Sequence, residues 1–378
     1  MALSKIDTTN MIEDVPQSKI DNNINFRNLI INGDMSISQR SASATGLTSA
    51  GYLALDRYEI GAYNLASAVY RIDQSTDAPT GFYNSLKLAT TTANGTQNAN
   101  EQFFIEQQIE AQNIYNLDFY TATADSVTIS FHIKTNNTGT YPINLKLSDN
   151  NSSHDNTATR VYRTTYTVNS ANTWEKKSIT IQLDTSTSET RPTGNNFGMA
   201  VLFWFSAGSS RDGGTANAWQ DNGNNSTAAD NLNFLGSTSN EVYLTGVQIE
   251  KGTTASDFEF LPHDVNLRRC YRYYYLYVSG LNKQVSNAVA YNSGLINGIV
   301  QLPTTMRTTP SLDMVTGTNY YRAYGNNTSD SFNSFTLLES SPNIAGLRNS
   351  TEFSGTQGYA YFYFTFNSSS KISFSAEL

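Results

Sequence analysis

Cysteine, charge and long apolar runs are all scarce in this chain, and each scarcity removes a class of protein. Cys270 is the one cysteine among 378 residues, so no intrachain disulfide framework exists and stability must come from packing or subunit contacts. Charged residues make up 15%, against about 25% in ordinary soluble domains. Neutral Asn, Ser, Thr, Gly and Tyr clothe the surface instead, and Thr and Tyr favour strands. A net charge of −8 with no run of Lys or Arg argues against a stripe that neutralises phosphates, so no nucleic-acid partner is expected. No apolar run approaches the roughly 18 residues of a spanning helix, and the first residues lack the basic and apolar regions of a secretory signal. The expectation is synthesis in a cytoplasm, without membrane insertion.

What is present is strand texture. Residues 1–24 scatter Ile6, Met11, Ile12 and Val15 among charges, too sparsely to close a core. From 25 to 262, alternating segments between Asn, Gly, Ser and Thr turns read as an all-β sandwich. Phe103, Ile105, Gln107, Ile109 and Ala111 share one strand face, with Glu106, Gln108 and Glu110 opposite. Both faces of 197–205 are largely apolar, the mark of a central strand. Val242 and Leu244 lie in one phase and Val247 and Ile249 in the other, so Gly246 reads as a bulge. The stretches 149–156 and 206–233 read as long polar loops, where recognition commonly sits. A helix is expected over 264–277, with Asp264 as N-cap and Leu267, Tyr271 and Tyr274 on one face. Residues 263–280 then form a connector, and 281–378 a smaller second β domain. In its last strands Tyr359, Tyr361 and Tyr363 alternate with Phe362, Phe364 and Phe366, giving a phenolic face and a greasy one.

Candidate chemistry is thin. Glycan hydrolysis needs two carboxyl groups roughly 5 to 9.5 Å apart, whereas Glu106 and Glu110 stand roughly 13 Å apart along one strand. No catalytic residue is assigned, and the chain is read as a non-enzyme. His263 and Cys270, seven residues apart on a helix, are roughly 10 Å apart and beyond a thiol–imidazole hydrogen bond. Cys270 reads as a small buried apolar residue. His132 and His154 lack metal-ligand neighbours, and 149–160 has His154 and Arg160 where a calcium loop needs Gly and Glu. Sugar rings are apolar on their faces and polar at the rim, so an aromatic ring beside amides suits them. Trp219 with Gln220, Asp221 and Asn222 is the glycan-binding candidate; its alternative is a loop anchor. Trp204 and Trp174 read as core.

Several short motifs stand out: Asn28-Leu29-Ile30-Ile31-Asn32-Gly33-Asp34-Met35, Gln39-Arg40, Asp56-Arg57, Trp174-Glu175, 243–250, Arg269-Cys270-Tyr271-Arg272-Tyr273-Tyr274, Met306-Arg307-Thr308-Thr309-Pro310 and Ser375-Ala376-Glu377-Leu378. The first turn resembles the start of carbohydrate-binding-module-like sandwiches. Together the motifs resemble the jelly-roll fibre and tail proteins of tailed bacteriophages, particularly marine ones, from about Asn25 to Leu378. The resemblance implies a jelly-roll β-sandwich followed by one short helix and a smaller β-sandwich. It also implies a virion location, with Ile6, Met11, Ile12 and Val15 in a segment docking onto other virion proteins and the β domains displayed toward host-surface glycan. A homotrimer is implied too, with Leu267, Tyr271, Tyr274, Tyr359, Tyr361 and Tyr363 as contact candidates. No cofactor is expected; the calcium of some binding modules would need Asp34 and Glu250, which otherwise are surface carboxylates. Two alternatives stay open: a capsid decoration, head fibre or tail adaptor with a purely structural role, and a polysaccharide depolymerase.

Overall fold

The computed structural model describes residues 26–149, 159–223, 226–228 and 232–378. Ile6, Met11, Ile12, Val15 and His154 lie outside them. Before the helix come β1 (Ser43–Leu47), β2 (Glu59–Tyr63), β3 (Val69–Ser75), β4 (Ser85–Thr92), β5 (Gln102–Glu110), β6 (Ser126–Thr135), β7 (Gly139–Ser148), β8 (Thr159–Val168), β9 (Glu175–Gln182), β10 (Phe197–Ala207), β11 (Ala218–Asp221) and β12 (Glu241–Lys251). They form two six-stranded antiparallel sheets, ordered β1-β3-β4-β12-β6-β9 and β11-β8-β7-β10-β5-β2. From β5 onward the chain crosses between the sheets at β5–β6, β6–β7, β8–β9, β9–β10 and β11–β12, while β7–β8 and β10–β11 stay in one sheet, the weave of a jelly-roll-like sandwich. The inward set that alternation selects, including Phe103, Ile105, Ile129, Phe131, Val201 and Phe203, fills one core between the sheets. Aromatic edges meet there at close range, as between Phe131 and Phe203 at 4.9 Å.

β10 is buried along its whole length. Its second face, Ala200, Leu202 and Trp204, joins Phe104, Phe197 and Ala207 in a smaller apolar cluster on the outside of its sheet. Gly246 has φ +61°, and the β12–β6 register shifts between Thr245 and Gln248. A Cβ there would meet Phe82 at 2.7 Å and His132 at 2.8 Å, so the bulge requires glycine.

The helix α1 covers His263–Tyr271 and is shorter than the 264–277 expected; its N-cap is Pro262, and Asp264 sits inside the first turn. Tyr274 is not on it. The run Tyr-Tyr-Leu-Tyr-Val is rich in β-favouring side chains and opens β13 (Tyr274–Ser279). The remaining strands are β14 (Gln284–Asn292), β15 (Leu295–Gln301), β16 (Ser311–Met314), β17 (Tyr321–Gly325), β18 (Thr328–Phe332), β19 (Thr336–Ser341), β20 (Ile344–Asn349), β21 (Ala360–Thr365) and β22 (Lys371–Ser375). They form a three-stranded sheet, β13-β22-β16, and a seven-stranded sheet, β18-β17-β21-β14-β15-β20-β19. A second core lies between them, built on Tyr321, Phe332, Phe335, Leu347, Tyr363 and Phe374. Among the described residues no helix is long and apolar enough to cross a membrane.

Candidate functional site

Most of the motif residues that stand out in the sequence converge on the seam where the two sandwiches meet; Trp174-Glu175 does not. Asn32 Nδ2 donates to the carbonyls of Ile37 and Asp56, and its backbone N–H donates to Asn266 Oδ1. Gln39 links Asp56 to the Tyr274 carbonyl. Arg57, buried to 1%, ion-pairs with Glu377, donates to Gln108 O and lies 3.5 Å from the Tyr273 ring centre. Arg40 reaches the other Glu377 oxygen at 3.0 Å and covers the Tyr274 ring. Arg272 grips Glu110 bidentately at 2.6 and 2.7 Å, and Tyr273 Oη donates to the same carboxylate; these partners hold the Glu110 carboxyl below its ordinary range against the raising effect of its burial. Arg307 clasps the carbonyls of Ala376 and Glu377. Most of these groups face a protein partner, while Arg40 Nη1 and Arg57 Nε are buried with no hydrogen-bond partner among the described residues; the hub ties the two sandwiches together.

An open cleft lies on the outer face of the second sheet. One cross-sheet row runs Glu59, Glu106, Leu202, Asn144, Arg163, Ala218 through direct strand pairing. Beside it, Phe104 pairs with Gly61 and lies flat over it. Trp204 packs on Phe104 at 4.6 Å between ring centres, and Tyr63 follows at 6.3 Å. The segment after β11 supplies a wall through Asn222, Gly223 and Ser226, anchored where Asn144 Nδ2 donates to Ser226 O at 2.7 Å. The enclosed volume is about 420 Å³, within the size range of small-molecule sites. Trp204, 2% exposed, and Asn144, 1% exposed, each keep a polar atom, Nε1 and Oδ1, with no hydrogen-bond partner among the described residues. Both residues line the cleft.

The cleft's charged side chains are two carboxyl groups, Glu59 and Glu106, and one lysine, Lys146. Burial raises the Glu106 carboxyl to about 7, against an opposing pull from Lys146. Burial also raises Glu59 to about 7, with the Glu106 charge adding to it. Burial lowers Lys146, which Glu106 partly offsets. Directly paired strand positions bring Cβ atoms within about 4.5–5.5 Å, so Glu59 and Glu106 are neighbours. Glu59 and Glu106 come from different strands, a pairing that spacing along one strand does not show.

The sequence candidates are dispersed. Trp219 lies on β11 rather than in a loop; its ring packs on the sandwich core and on Tyr162, and Nε1 donates to Gln182 O at 2.8 Å. It faces the side of the sheet opposite the cleft, as an anchor. Gln220 donates to Thr215 O and Asp221 pairs with Arg160. Asn222 does line the cleft. Trp174, expected in the core, is half-buried on the outer face of the other sheet, donating to Asp77. Tyr361 and Tyr363 point into the second core, and Tyr363 Oη donates to Ile296 O at 2.9 Å. They cannot meet another subunit, because the chain's own core covers them, and the outward row is Phe362 and Phe364. Tyr274 is likewise buried, Leu267 packs beside Cys270, and Tyr271 is half-buried against Tyr275; Tyr359 is exposed. Asp34 accepts from Asn266, and Glu250 from Ser256. Among the described residues no three His, Cys, Asp or Glu side chains gather as a metal site requires.

No protein-family model matches the chain, and no curated protein matches it. Solved structures are similar over part of it. The enzymatically active domain of tailspike protein 4 from bacteriophage CBA120 is 11% identical, over 60% of this chain and 22% of that one, with a TM-score of 0.30. A putative sugar binding protein from Bacteroides thetaiotaomicron is 14% identical over 60% of this chain and 100% of its own, TM-score 0.33. A family 11 carbohydrate-binding module from Clostridium thermocellum, in complex with a β-1,3-1,4-mixed-linked tetrasaccharide, is 10% identical over 60% and 99%, TM-score 0.28. Likenesses this loose assign no ligand and no residue role to the chain.

Proposed function

We propose that the chain binds host-surface glycan in the cleft on the outer face of its second sheet, as a phage fibre or tail appendage. The observation that carries the binding role is the cleft itself: the exposed Tyr63 ring beside Phe104 and Trp204, with Glu59, Asn144 and Lys146 in the same lining. Apolar sugar faces suit the rings, and hydroxyl groups suit the amide and carboxyl groups at their edge. The virion setting rests on the motif resemblance. Attachment through residues 1–24, assembly as a homotrimer and avidity from repeated weak contacts belong to the same proposal. A glycan array probed with wild type, Tyr63→Ala, Glu59→Gln and Trp219→Ala tests it. Wild type and Trp219→Ala should bind alike, and the two cleft variants at least tenfold more weakly. Wild type bound to no glycan, or equal binding by all four, would end the assignment.

One observation favours a second reading. Two carboxyl groups on directly paired strand positions, both with raised proton affinity, are the kind of pair a depolymerase needs. Against it, Glu106 is almost wholly covered and shares its field with Lys146. Release of reducing ends from host polysaccharide by wild type, abolished in Glu59→Gln, would favour hydrolysis over binding alone.

A further inference from the structure

The second sandwich turns one face of its seven-stranded sheet to the core and the other to solvent, and the outward face is ordered by side-chain type. Between β17 and β21, Arg322 pairs with Phe364 and Tyr324 with Phe362; between β21 and β14, Phe362 pairs with Asn287; between β15 and β20, Asn297 pairs with Arg348. Crossing the sheet in that direction meets a cation, aromatic rings, an amide, a second amide and a second cation. The middle of the crossing is hollow. Strand β14 pairs with β15 only between Ala288–Gly298 and the turn, so 284–287 and 299–301 part from each other. The groove there, of about 480 Å³, is lined by Gln284, Asn287, Asn297 and Gln301 beside Val289 and Ile299. Arg322 lies 3.2 Å from the Phe366 ring centre and its buried Nε has no hydrogen-bond partner, while Arg348 Nε donates to Asn297 Oδ1 at 3.2 Å. Neither guanidinium meets a carboxylate among the described residues. The acids of this sheet are placed elsewhere: Asp330 and Glu352 accept the backbone N–H groups of Ser354 and Asn333, and Glu339 lies on the edge strand β19. Residues 281–378 carry five Lys or Arg and five Asp or Glu, so the net charge of −8 resides in the rest of the chain.

We propose that this face binds an acidic polysaccharide, a sugar chain bearing carboxylate or sulfate groups along its length, at a site separate from the cleft of the first sandwich. Sugar rings lie on exposed aromatic faces while their hydroxyl groups pair with amides. Tyr324 and Phe362, each 47% exposed, supply the faces, and the amides of the groove supply the partners. The arginines add the selection for negative charge, because a guanidinium stays ionised at every working pH and matches the oxygen pair of a carboxylate. Spacing selects a polymer. β17 and β20 are four strand spacings apart in the sheet, roughly 19 Å at about 4.8 Å each, so one small anion cannot reach both arginines and a chain with repeated charge can. The site stands whether or not the cleft binds.

Isothermal titration calorimetry of the full-length protein with polygalacturonate, dextran sulfate and plain dextran tests this, for wild type, Arg322→Gln, Arg348→Gln and Phe362→Ser. Wild type should bind at least one charged polymer, more weakly as salt is added, and should not bind plain dextran. Which polymer binds distinguishes carboxylate from sulfate. Each arginine variant should bind about fivefold more weakly, the upper value for an exposed ion pair. Phe362→Ser, which changes no charge, should weaken binding as well. The three positions lie on three different strands, so a variant that fails to fold leaves the other two to decide. A wild type that binds neither charged polymer, or arginine variants that bind as wild type does, would overturn the site. Loss in the arginine variants with none in Phe362→Ser would reduce it to charge attraction and overturn the sugar reading. Binding that Tyr63→Ala abolishes and the arginine variants keep would move the ligand to the cleft.

Discussion

Replacing Glu377 by Gln removes one negative charge from the seam and almost no volume. The Glu377 side chain is 8% exposed and the Arg57 side chain it faces 1%; Arg40 approaches its second oxygen. Glutamine retains one carbonyl oxygen, so a single hydrogen bond survives while the Arg57 guanidinium loses its counter-charge in a site closed by the Tyr273 ring. Removing one partner of a buried pair costs about 3–5 kcal/mol, and with one bond kept the lower end, about 3 kcal/mol, is expected. That is a large fraction of the roughly 5–15 kcal/mol that holds a typical domain together. Urea denaturation followed by circular dichroism and tryptophan fluorescence reads it as a lower midpoint at unchanged slope. Lys251→Met is the control, since Lys251 is 53% exposed and its pair with Asp125 is worth at most about 1 kcal/mol. Should Glu377→Gln cost no more than Lys251→Met, the seam is not a buried ionic hub and the reasoning fails.

Three further outcomes are expected. In Gly61→Ala the new Cβ would sit 2.1 to 2.5 Å from three carbons of the Phe104 ring; the ring must swing out, costing about 1–3 kcal/mol and weakening glycan binding, and unchanged affinity would deny Phe104 a place in the cleft. Glu59 has a folded-state value near 7 against an ordinary 4.5, so ionising it opposes folding. Its penalty is absent below about pH 4.5, grows as pH rises to about 7 and is constant above, worth up to about 3 kcal/mol; the stability difference between wild type and Glu59→Gln should follow that course, and a flat difference would refute the burial argument. Burial also pushes the Cys270 thiol well up, so an aromatic disulfide reagent should leave the native chain unlabelled and label it fully in denaturant; rapid native labelling would contradict the seam packing.

Alternation made most of the sandwich legible. Phe103, Ile105 and Ile109 turn inward on one strand as their spacing requires, and the two-faced apolarity of β10 does mark a strand covered on both sides. The glycine bulge was readable from the switch of phase around Gly246. The helix end was not, because 3.6-residue spacing fits Tyr274 equally well whether the chain coils or, as here, pairs with β22. Alternation also could not tell which side of β21 faces in. Phenolic polarity points to the surface, yet the core offers Tyr363 a carbonyl acceptor and so accepts the ring. The cleft was the least legible feature. Phe104 and Glu106 could be placed opposite the core stripe, but their companions Glu59, Asn144 and Lys146 come from three other positions on two other strands, and only the pairing order of the sheet assembles them. Motif residues were prominent for a different reason: arginines and amides closing a buried seam are specific, and specificity of structure resembles specificity of function in a sequence.

The shared grip of Arg272 on Glu110 and of Glu377 on Arg57 and Arg40 leaves the molecule without a soft neck. Tension drawn between the two β bodies would have to tear several charge-reinforced bonds at once, in a dry joint, before either could swing. Such a joint transmits load as a rigid rod does, and heat should melt both halves in one step.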